Sequence, residues 1–205
     1  MITSSCIPFP AGRCARQRPP VNVRALIASL ALLAAVAQGD EHQQRQPRLL
    51  EDGWQLELVA SQPEIVTPVA MTFDRAGRLL VIESHTHFRP DEYDGPGTDR
   101  IRAFADSDGD GRLDQWSTFF EGTEATMGLA AAPDGRIFAA TRNQVLQLED
   151  TNDDGRADRQ EVIVHLETDA EYPHNGVGGI CYQEGPTEAL FIGIGENLGE
   201  PYTLV

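Results

Sequence analysis

Short apolar runs alternate with polar turns along most of the chain after residue 50, and no helical period is present. Three times, a short apolar run leads into a polar turn that contains glycine, and a second apolar run follows. These repeats cover residues 69–83, 127–141 and 178–194. Short apolar runs joined by glycine turns, without a helical period, predict antiparallel β-hairpins and no helices. A further strand is predicted at residues 54–59, where apolar and polar side chains alternate.

Two more apolar runs separate each hairpin from the next, so each repeating unit contains four predicted strands. Four antiparallel strands in a unit of roughly 40 to 50 residues are typical of a β-propeller blade. We therefore predict an all-β fold, an incomplete β-propeller with about three four-stranded blades. A β-sandwich is the competing architecture, but it does not explain why the same hairpin recurs. Because propellers usually close with about four to eight blades, we interpret the chain as the N-terminal part of a longer protein.

Two acidic segments lie at equivalent places in the repeat. Residues 106–114 read DSDGDGRLD and residues 150–158 read DTNDDGRAD, which both fit the pattern D-x-(D/N)-x-D-G-x-x-D. Calcium takes six to eight oxygen ligands, and alternate oxygen-bearing side chains around a glycine turn can supply several of them. The predicted calcium ligands are Asp106, Asp108, Asp110, Asp114, Asp150, Asn152, Asp154, Asp158 and Glu161.

The alternative is that both acidic segments are turns that bind no metal, because Asp, Asn and Gly favour turns on their own. The strands predicted on either side exclude an EF-hand, which requires flanking helices. The second segment has Glu161 at position 12, where an EF-hand places its last ligand, whereas the first has Ser117 there. The first segment therefore offers the poorer set of oxygens.

Histidines provide the other candidate chemistry. His174 lies in the glycine-rich segment 172–179 between two predicted strands, and an imidazole there can exchange a proton near neutral pH. We predict His174 as a catalytic base, the alternative being an exposed histidine in a polar connection. A second group comprises Glu83, His85 and His87. Its two histidines could share one face of a strand and bind zinc or copper, but no third ligand is nearby, so a solvated pair is favoured.

Charge separates a leader from an acidic body. Residues 1–37 contain four arginines and no acid, and they end in the apolar run 25–37, which predicts a signal peptide. An uncleaved N-terminal anchor is the alternative. Residues 38–50 are rich in Gln and Arg and are read as a linker, and residues 51–205 as the propeller domain. We therefore expect an exported protein, periplasmic or at the cell surface.

The acidic body restricts the partners. Lysine is absent, and beyond residue 37 there are 12 arginines against 32 Asp and Glu residues, a net charge of −20. Such a surface repels nucleic acid and anionic lipid, so we expect neither as a partner. The membrane contact that we allow for is the alternative N-terminal anchor. Cys181 is the one cysteine after the leader, and its apolar surroundings predict a buried thiol.

Several motifs resemble known families. The stretch from His174, HNGVGGICYQEGPTEALFIGIG, and the stretch 67–83, TPVAMTFDRAGRLLVIE, are similar to the glucose/sorbosone dehydrogenase family of quinoprotein propellers. The segments ESHTHF at 83–88, DGDG at 108–111 and GENLGEPYTL at 195–204 more closely resemble exported membrane-bound dehydrogenase proteins of the haem-binding type. Pro173 stands where the sugar dehydrogenase pattern has Asp.

The resemblance covers residues 50–205 and implies an oxidoreductase that oxidises a sugar or other alcohol with pyrroloquinoline quinone. It implies that His174 removes the hydroxyl proton and that a cytochrome accepts the electrons. Haem c is implied only if a downstream domain carries a C-x-x-C-H motif. The competing hypothesis is a non-catalytic, calcium-stabilised propeller that binds glycans or partner proteins, because propellers host many functions.

Overall fold

The computed structural model describes residues 47, 49–87, 89–169, 176–195 and 200–205. The chain divides into one unit of residues 1–57 and another of residues 58–205. The described part of the first unit is irregular, with a turn at 51–53. In the second unit every regular element among the described residues is a β-strand. The described part of the chain contains no helix with the length and apolarity that a bilayer crossing requires.

The first sheet is a four-stranded antiparallel meander in which each strand pairs with the next along the chain. Turns join its strands because the connecting segments are rich in Asp, Gly and Pro, which favour chain reversal. The register places Ile82 of the second strand opposite Ile101 of the third. The strands are β1 (Pro68–Phe73), β2 (Leu79–Glu83), β3 (Asp99–Ala105) and β4 (Gln115–Thr123).

The second sheet repeats this meander, and a further short strand adds to its outer edge. Its strands are β5 (Thr126–Ala131), β6 (Ile137–Thr141), β7 (Gln144–Glu149) and β8 (Arg159–Thr168). A separate antiparallel hairpin follows, formed by β9 (Val177–Gln183) and β10 (Ala189–Ile194). The last strand, β11 (Tyr202–Leu204), pairs antiparallel with β8.

Apolar side chains on both faces of the second sheet join it to its neighbours. Leu129, Ile137 and Leu148 lie in one buried cluster with residues of β2, β3 and β4. Ala130 and Phe138, one position along on the same strands, lie in a second cluster with Val177 and other residues of β9 and β10. Successive side chains of a strand point to opposite faces, so one central sheet supplies both cores. The first strands of the sheets also lie close together, with β5 in contact with both β1 and β9.

Successive antiparallel sheets packed face to face through their first strands form part of a β-propeller, and the all-β prediction is confirmed. The first two units have the four strands predicted for each blade. Among the described residues the third unit consists of the hairpin β9–β10 alone, because β11 joins the second sheet instead.

Two smaller predictions were wrong. Residues 54–59 form no strand, because no described strand lies beside them to accept their backbone hydrogen bonds. Cys181 is exposed. It points away from the second sheet, whereas its neighbours Ile180 and Tyr182 point towards that sheet and pack on its core.

The connections fall into two groups because antiparallel strands reverse direction at each turn. At one end, which we call the turn end, lie the hairpin turns and both acidic segments (74–78, 106–114, 132–136, 150–158 and 184–188). The other end, which we call the loop end, carries the connections after β2, β4, β6 and β8. The two acidic segments and the group of Glu83, His85 and His87 therefore lie at opposite ends of the blades.

Candidate functional site

The loop end is organised by the carboxylate of Asp99, the first residue of β3, which is fully buried. One of its oxygens accepts the backbone N–H groups of His85 (2.7 Å) and Thr86 (3.0 Å) and the hydroxyl of Thr86 (2.9 Å). The other oxygen accepts the backbone N–H of Thr126, the first residue of β5, at 2.8 Å. Asp99 therefore joins the loop after β2 to the start of the second sheet.

Thr86 extends this connection. Its hydroxyl oxygen accepts the backbone N–H of Ala125 at 2.7 Å while its hydroxyl hydrogen is directed to Asp99. Thr126 in turn donates its hydroxyl to Thr123 at 2.7 Å. A buried carboxylate costs less free energy when several donors surround it, and these contacts satisfy Asp99 within the protein.

A second polar group, formed by Glu83, His85 and Arg102, lies beside Asp99. All three side chains are buried, with 3%, 5% and 7% of their surface exposed. One oxygen of Glu83 accepts the backbone N–H of Val66 at 3.0 Å, and the other lies 3.4 Å from His85 Nε2 and 3.7 Å from Arg102 Nε. The preference for a solvated histidine pair was therefore wrong for His85, which is buried and whose ring contacts Glu83 and Tyr93.

The zinc or copper alternative also finds no support among the described residues. Arg102 donates to Thr118 at 2.9 Å and to the backbone carbonyl of Glu64 at 3.3 Å, and its guanidinium lies 4.1 Å from the ring centre of Trp116. These contacts hold the positively charged guanidinium of Arg102 near Glu83. A cationic side chain there opposes a metal ion, and the described residues place no third metal-binding side chain with His85 and His87.

A groove of about 540 Å³ opens at the loop end between the first and second sheets. The connections after β2, β4 and β6 form its rim, and Leu146 and Val162 contribute apolar surface. Most of its other lining side chains can donate or accept hydrogen bonds. They include Thr86, His87, Glu124, Arg142, Asn143 and Gln144.

His174, the predicted base, lies outside the described residues, as do the other residues of the segment 170–175. The described chain leaves β8 at Thr168 and enters β9 at Val177, both at the loop end. The backbone N–H of Val177 donates to the carbonyl of Arg142 at 2.8 Å, next to the groove.

The two acidic segments fold alike at the turn end. In each, the first Asp accepts the N–H of the glycine at position 6, from Gly111 to Asp106 and from Gly155 to Asp150, both at 2.8 Å. Both glycines have a φ of +90°, a conformation that other residues rarely adopt. This glycine was predicted to allow the sharp turn, and it does so in both segments.

The other predicted ligands mainly hold the loop backbone. The residues at positions 3 and 5 (Asp108, Asp110, Asn152 and Asp154) accept N–H groups two residues further along. The position 9 carboxylates accept both the backbone N–H and the hydroxyl of position 2, so Asp114 binds Ser107 and Asp158 binds Thr151. These contacts form the same frame in both loops.

The loops differ in their surroundings. Asp106, Asp108 and Asp110 each offer a carboxylate oxygen, and these oxygens lie within 4.8 Å of one another on the exposed surface. The second loop instead contacts the first sheet, where Arg78 donates to the carbonyl of Gly155 at 3.0 Å. Glu161, predicted at position 12, lies on β8 opposite Gln147 and 3.7 Å from Arg159, and it is not grouped with the loop carboxylates.

Backbone donors lower the pKa of three of these carboxyl groups. The pKa of Asp106 is lowered mainly by the N–H of Gly111. The pKa values of Asp114 and Asp158 are lowered mainly by the N–H groups of Ser107 and Thr151, with their hydroxyls contributing next. A hydrogen bond to the charged form favours ionisation, and these donors act only on a folded loop.

Comparison with known proteins assigns the family. The family model described as "Domain of unknown function (DUF7133)" matches residues 42–200. The chain belongs to this family. No curated protein matches the sequence. Among solved structures, the calcium structure of Trichoderma reesei Carbohydrate-Active Enzymes Family AA12 is similar to this DUF7133 member at 23% identity with a TM-score of 0.43. The likeness covers 55% of this chain and 26% of that chain, so it takes in a minor part of the solved protein.

The lowered pKa values predict acid-sensitive loops. Because folding lowers the pKa of Asp158 below its unfolded value of about 3.9, the stability that this group contributes is complete above that pH. It is lost as the pH falls through the folded pKa. We expect the urea midpoint of the calcium-free protein to fall between about pH 5 and pH 2, and to fall less in Asp158→Asn.

Asp153→Asn is the matched control, since Asp153 lies in the same loop and contacts Arg75 instead of the Thr151 donors. The control should keep the pH dependence of the natural protein. An equal acid-induced decrease in all three proteins would contradict the role assigned to Asp158.

Proposed function

We propose that this chain is part of an exported oxidoreductase propeller that acts on a neutral sugar or other alcohol. The observation that carries the proposal is the polar groove at the loop end. Its hydroxyl, amide and imidazole groups can donate to and accept from the hydroxyls of such a substrate. The resemblance at His174 supports the oxidoreductase part, because that residue corresponds to the base of the sugar dehydrogenase motif.

The charge at this end favours a neutral substrate. Asp91, Glu92 and Asp94 are exposed on the loop after β2, and Glu124 is exposed at the groove. Arg142 is the cation among the described groove residues, and its Nε already donates to Asn143 at 2.9 Å. A sugar acid or phosphate would meet net repulsion here, whereas an uncharged hydroxyl compound would not.

The described residues do not fit a quinone cradle. Pyrroloquinoline quinone carries several carboxylates, which require cationic or backbone donors, whereas the described groove lining includes one arginine, Arg142, and also the carboxylate of Glu124. Donors for such a cofactor would have to come from outside the described residues. The proposal therefore assigns substrate binding to this groove, and it leaves quinone binding and transfer of electrons to a cytochrome to the rest of the protein. Export to the periplasm or cell surface is part of the same proposal.

Substrate binding and oxidation can be tested separately. We expect calorimetry to detect binding of neutral sugars and not of the corresponding sugar acids, and Asn143→Ala to weaken that binding. The control is Gln183→Ala, which removes an exposed amide outside the groove. With quinone and a dye acceptor present, His174→Ala should lower oxidation about 10²- to 10⁴-fold while leaving binding unchanged, as expected for loss of a general base.

Two results would contradict this proposal. If neutral sugars bound equally well to the natural protein and to Asn143→Ala, the groove would not be the substrate-binding site. If His174→Ala oxidised the substrate at an unchanged rate, His174 would not be the catalytic base.

A second candidate function is a non-catalytic propeller that is stabilised by calcium and binds glycans or partner proteins. The first acidic loop bears only on the calcium part of this candidate, because the oxygens of Asp106, Asp108 and Asp110 lie within 4.8 Å of one another. These carboxylates suit a hard cation, although they already accept backbone hydrogen bonds and a calcium ion would need further oxygens from the loop or water.

Calcium binding predicts a rise in melting temperature. For a dissociation constant near 10⁻⁴ M, 1 mM calcium would stabilise the fold by about 1.4 kcal/mol, or about 3–6 °C. Asp108→Asn should remove most of this shift, whereas the exposed Asp91→Asn should retain it. If calcium left the melting temperature of the natural protein unchanged, the calcium proposal would fail.

A further inference from the structure

Three side chains at the loop end form a continuous line from the interior to the surface. Glu83 is buried at the end of β2, and one of its oxygens lies 3.4 Å from Nε2 of the buried His85. The other ring nitrogen of His85, Nδ1, contacts the hydroxyl of Tyr93. Tyr93 is half-exposed on the loop between β2 and β3. A carboxylate, an imidazole and a phenol thus follow one another.

The position of the imidazole proton follows from this order. A carboxylate can only accept hydrogen bonds, so in a neutral imidazole the nitrogen that faces Glu83 carries the hydrogen. Nδ1 is then free to accept the hydrogen of the Tyr93 hydroxyl. Nε2 of His85 and the facing oxygen of Glu83 are buried, and they lie 3.4 Å apart, at ion-pair distance.

The negative charge of Glu83 is compensated. Arg102 and Arg100 lie 3.7 Å and 3.9 Å from the same oxygen that faces His85, and Val66 donates its N–H to the other oxygen. Arg102 is buried and held by Thr118. The arrangement can therefore retain a carboxylate in the interior, facing the imidazole of His85.

The loop is shaped to keep Tyr93 at His85. A Cβ atom on Gly95 would overlap Cζ and Oη of the Tyr93 ring, so the ring can fold back only because residue 95 has no side chain. The N–H of Tyr93 donates to the carbonyl of Pro90 at 3.0 Å, which closes the turn before it. Phenol and imidazole are therefore brought together by the loop itself.

We propose that Glu83, His85 and Tyr93 form a proton relay that makes the phenol oxygen of Tyr93 a base-activated reactive group at the loop end. When Tyr93 takes the proton of a ligand hydroxyl, its own proton passes to Nδ1 of His85. The imidazolium so formed faces the carboxylate of Glu83. Asp91, Glu92 and Asp94 are exposed on the same loop as Tyr93, and their negative charge favours a neutral hydroxyl compound as the ligand over an anion. The relay does not depend on the proposed oxidoreductase activity or on His174.

Acetylation by N-acetylimidazole tests the relay without a substrate. The Tyr93 oxygen would form a bond to the acetyl carbon, the bond from that carbon to the reagent's imidazole would break, and the phenol proton would pass to His85. Tyr202, which is 51% exposed, is the internal reference. Peptide mapping by mass spectrometry should find Tyr93 labelled about 100-fold faster than Tyr202, the lower end of what a positioned general base contributes.

Variants separate activation from exposure. His85→Gln and Glu83→Gln should slow labelling of Tyr93 while leaving Tyr202 unchanged, and Tyr93→Phe should abolish the fast label. Gly95→Ala moves the ring from His85 without altering a buried residue, so it tests the same contact if a buried variant fails to fold. Circular dichroism and melting should confirm that each labelled variant is folded.

A purely structural contact predicts the opposite pattern. A half-exposed, hydrogen-bonded phenol that only anchors the loop would be labelled more slowly than Tyr202, and Gly95→Ala would speed its labelling by releasing it. Either result in folded protein would overturn the relay.

Discussion

The loop end depends on one buried carboxylate, that of Asp99. This group fixes the backbone of residues 85 and 86 and the start of β5 at the same time. The loop after β2 and the second sheet therefore cannot move independently without leaving buried donors unsatisfied. Asp99 thereby supports the polar groove, the buried Glu83–His85 contact and the loop that carries Tyr93.

Carboxylates serve mainly as backbone acceptors in this acidic, lysine-free chain. Asp99 at the loop end and Asp106, Asp114 and Asp158 at the turn end each accept backbone N–H groups. Such bonds satisfy the acid without a paired base, so a chain with 32 acidic residues and 16 arginines can order its connections. The arginines are used elsewhere to join sheets, as Arg78 reaches the carbonyl of Gly155 and Arg136 binds Glu188 at 2.8 Å.

The two ends of the blades carry different chemistry. The turn end has two copies of one acidic loop, of which the second is fixed against the first sheet and the first is exposed with clustered oxygens. The loop end has the groove and the Glu83–His85–Tyr93 line. The proposed cation site and the proposed substrate groove would therefore lie at opposite ends of the blades.

Local patterns made the strands and turns predictable. The short apolar runs and the turn glycines identified the hairpins, and Phe104 and Leu148, at equal offsets before the acidic loops, are both buried. The site was less predictable because burial of polar residues depends on strand register. His85 and His87 were read as a solvated pair, yet His85 is buried beside Glu83, which pairing with β3 places opposite Arg100 and next to Arg102. An acid ending one strand and arginines on the next was the signal that could have identified it.

Asp99 and Tyr93 were missed for a similar reason. Nothing local distinguishes an Asp at a strand start from an exposed one, because its donors come from residues 85, 86 and 126. Tyr93 lies in a loop rich in Pro, Gly and acids, where the pattern predicts only chain reversal. The pair Tyr93 and Gly95 was a usable signal, since a glycine two residues after an aromatic residue permits the ring to fold back.

The central claim, that Asp99 holds the loop end together, is tested most directly by hydrogen exchange in Asp99→Asn. The amide nitrogen introduced by this change cannot accept a hydrogen bond, so at least one of the buried backbone donors loses its acceptor. The amides of His85, Thr86 and Thr126 should exchange at least about tenfold faster, equivalent to about 1.4 kcal/mol, while amides in the β7–β8 pair stay protected. Unchanged protection at residues 85, 86 and 126 in the folded variant would contradict the account.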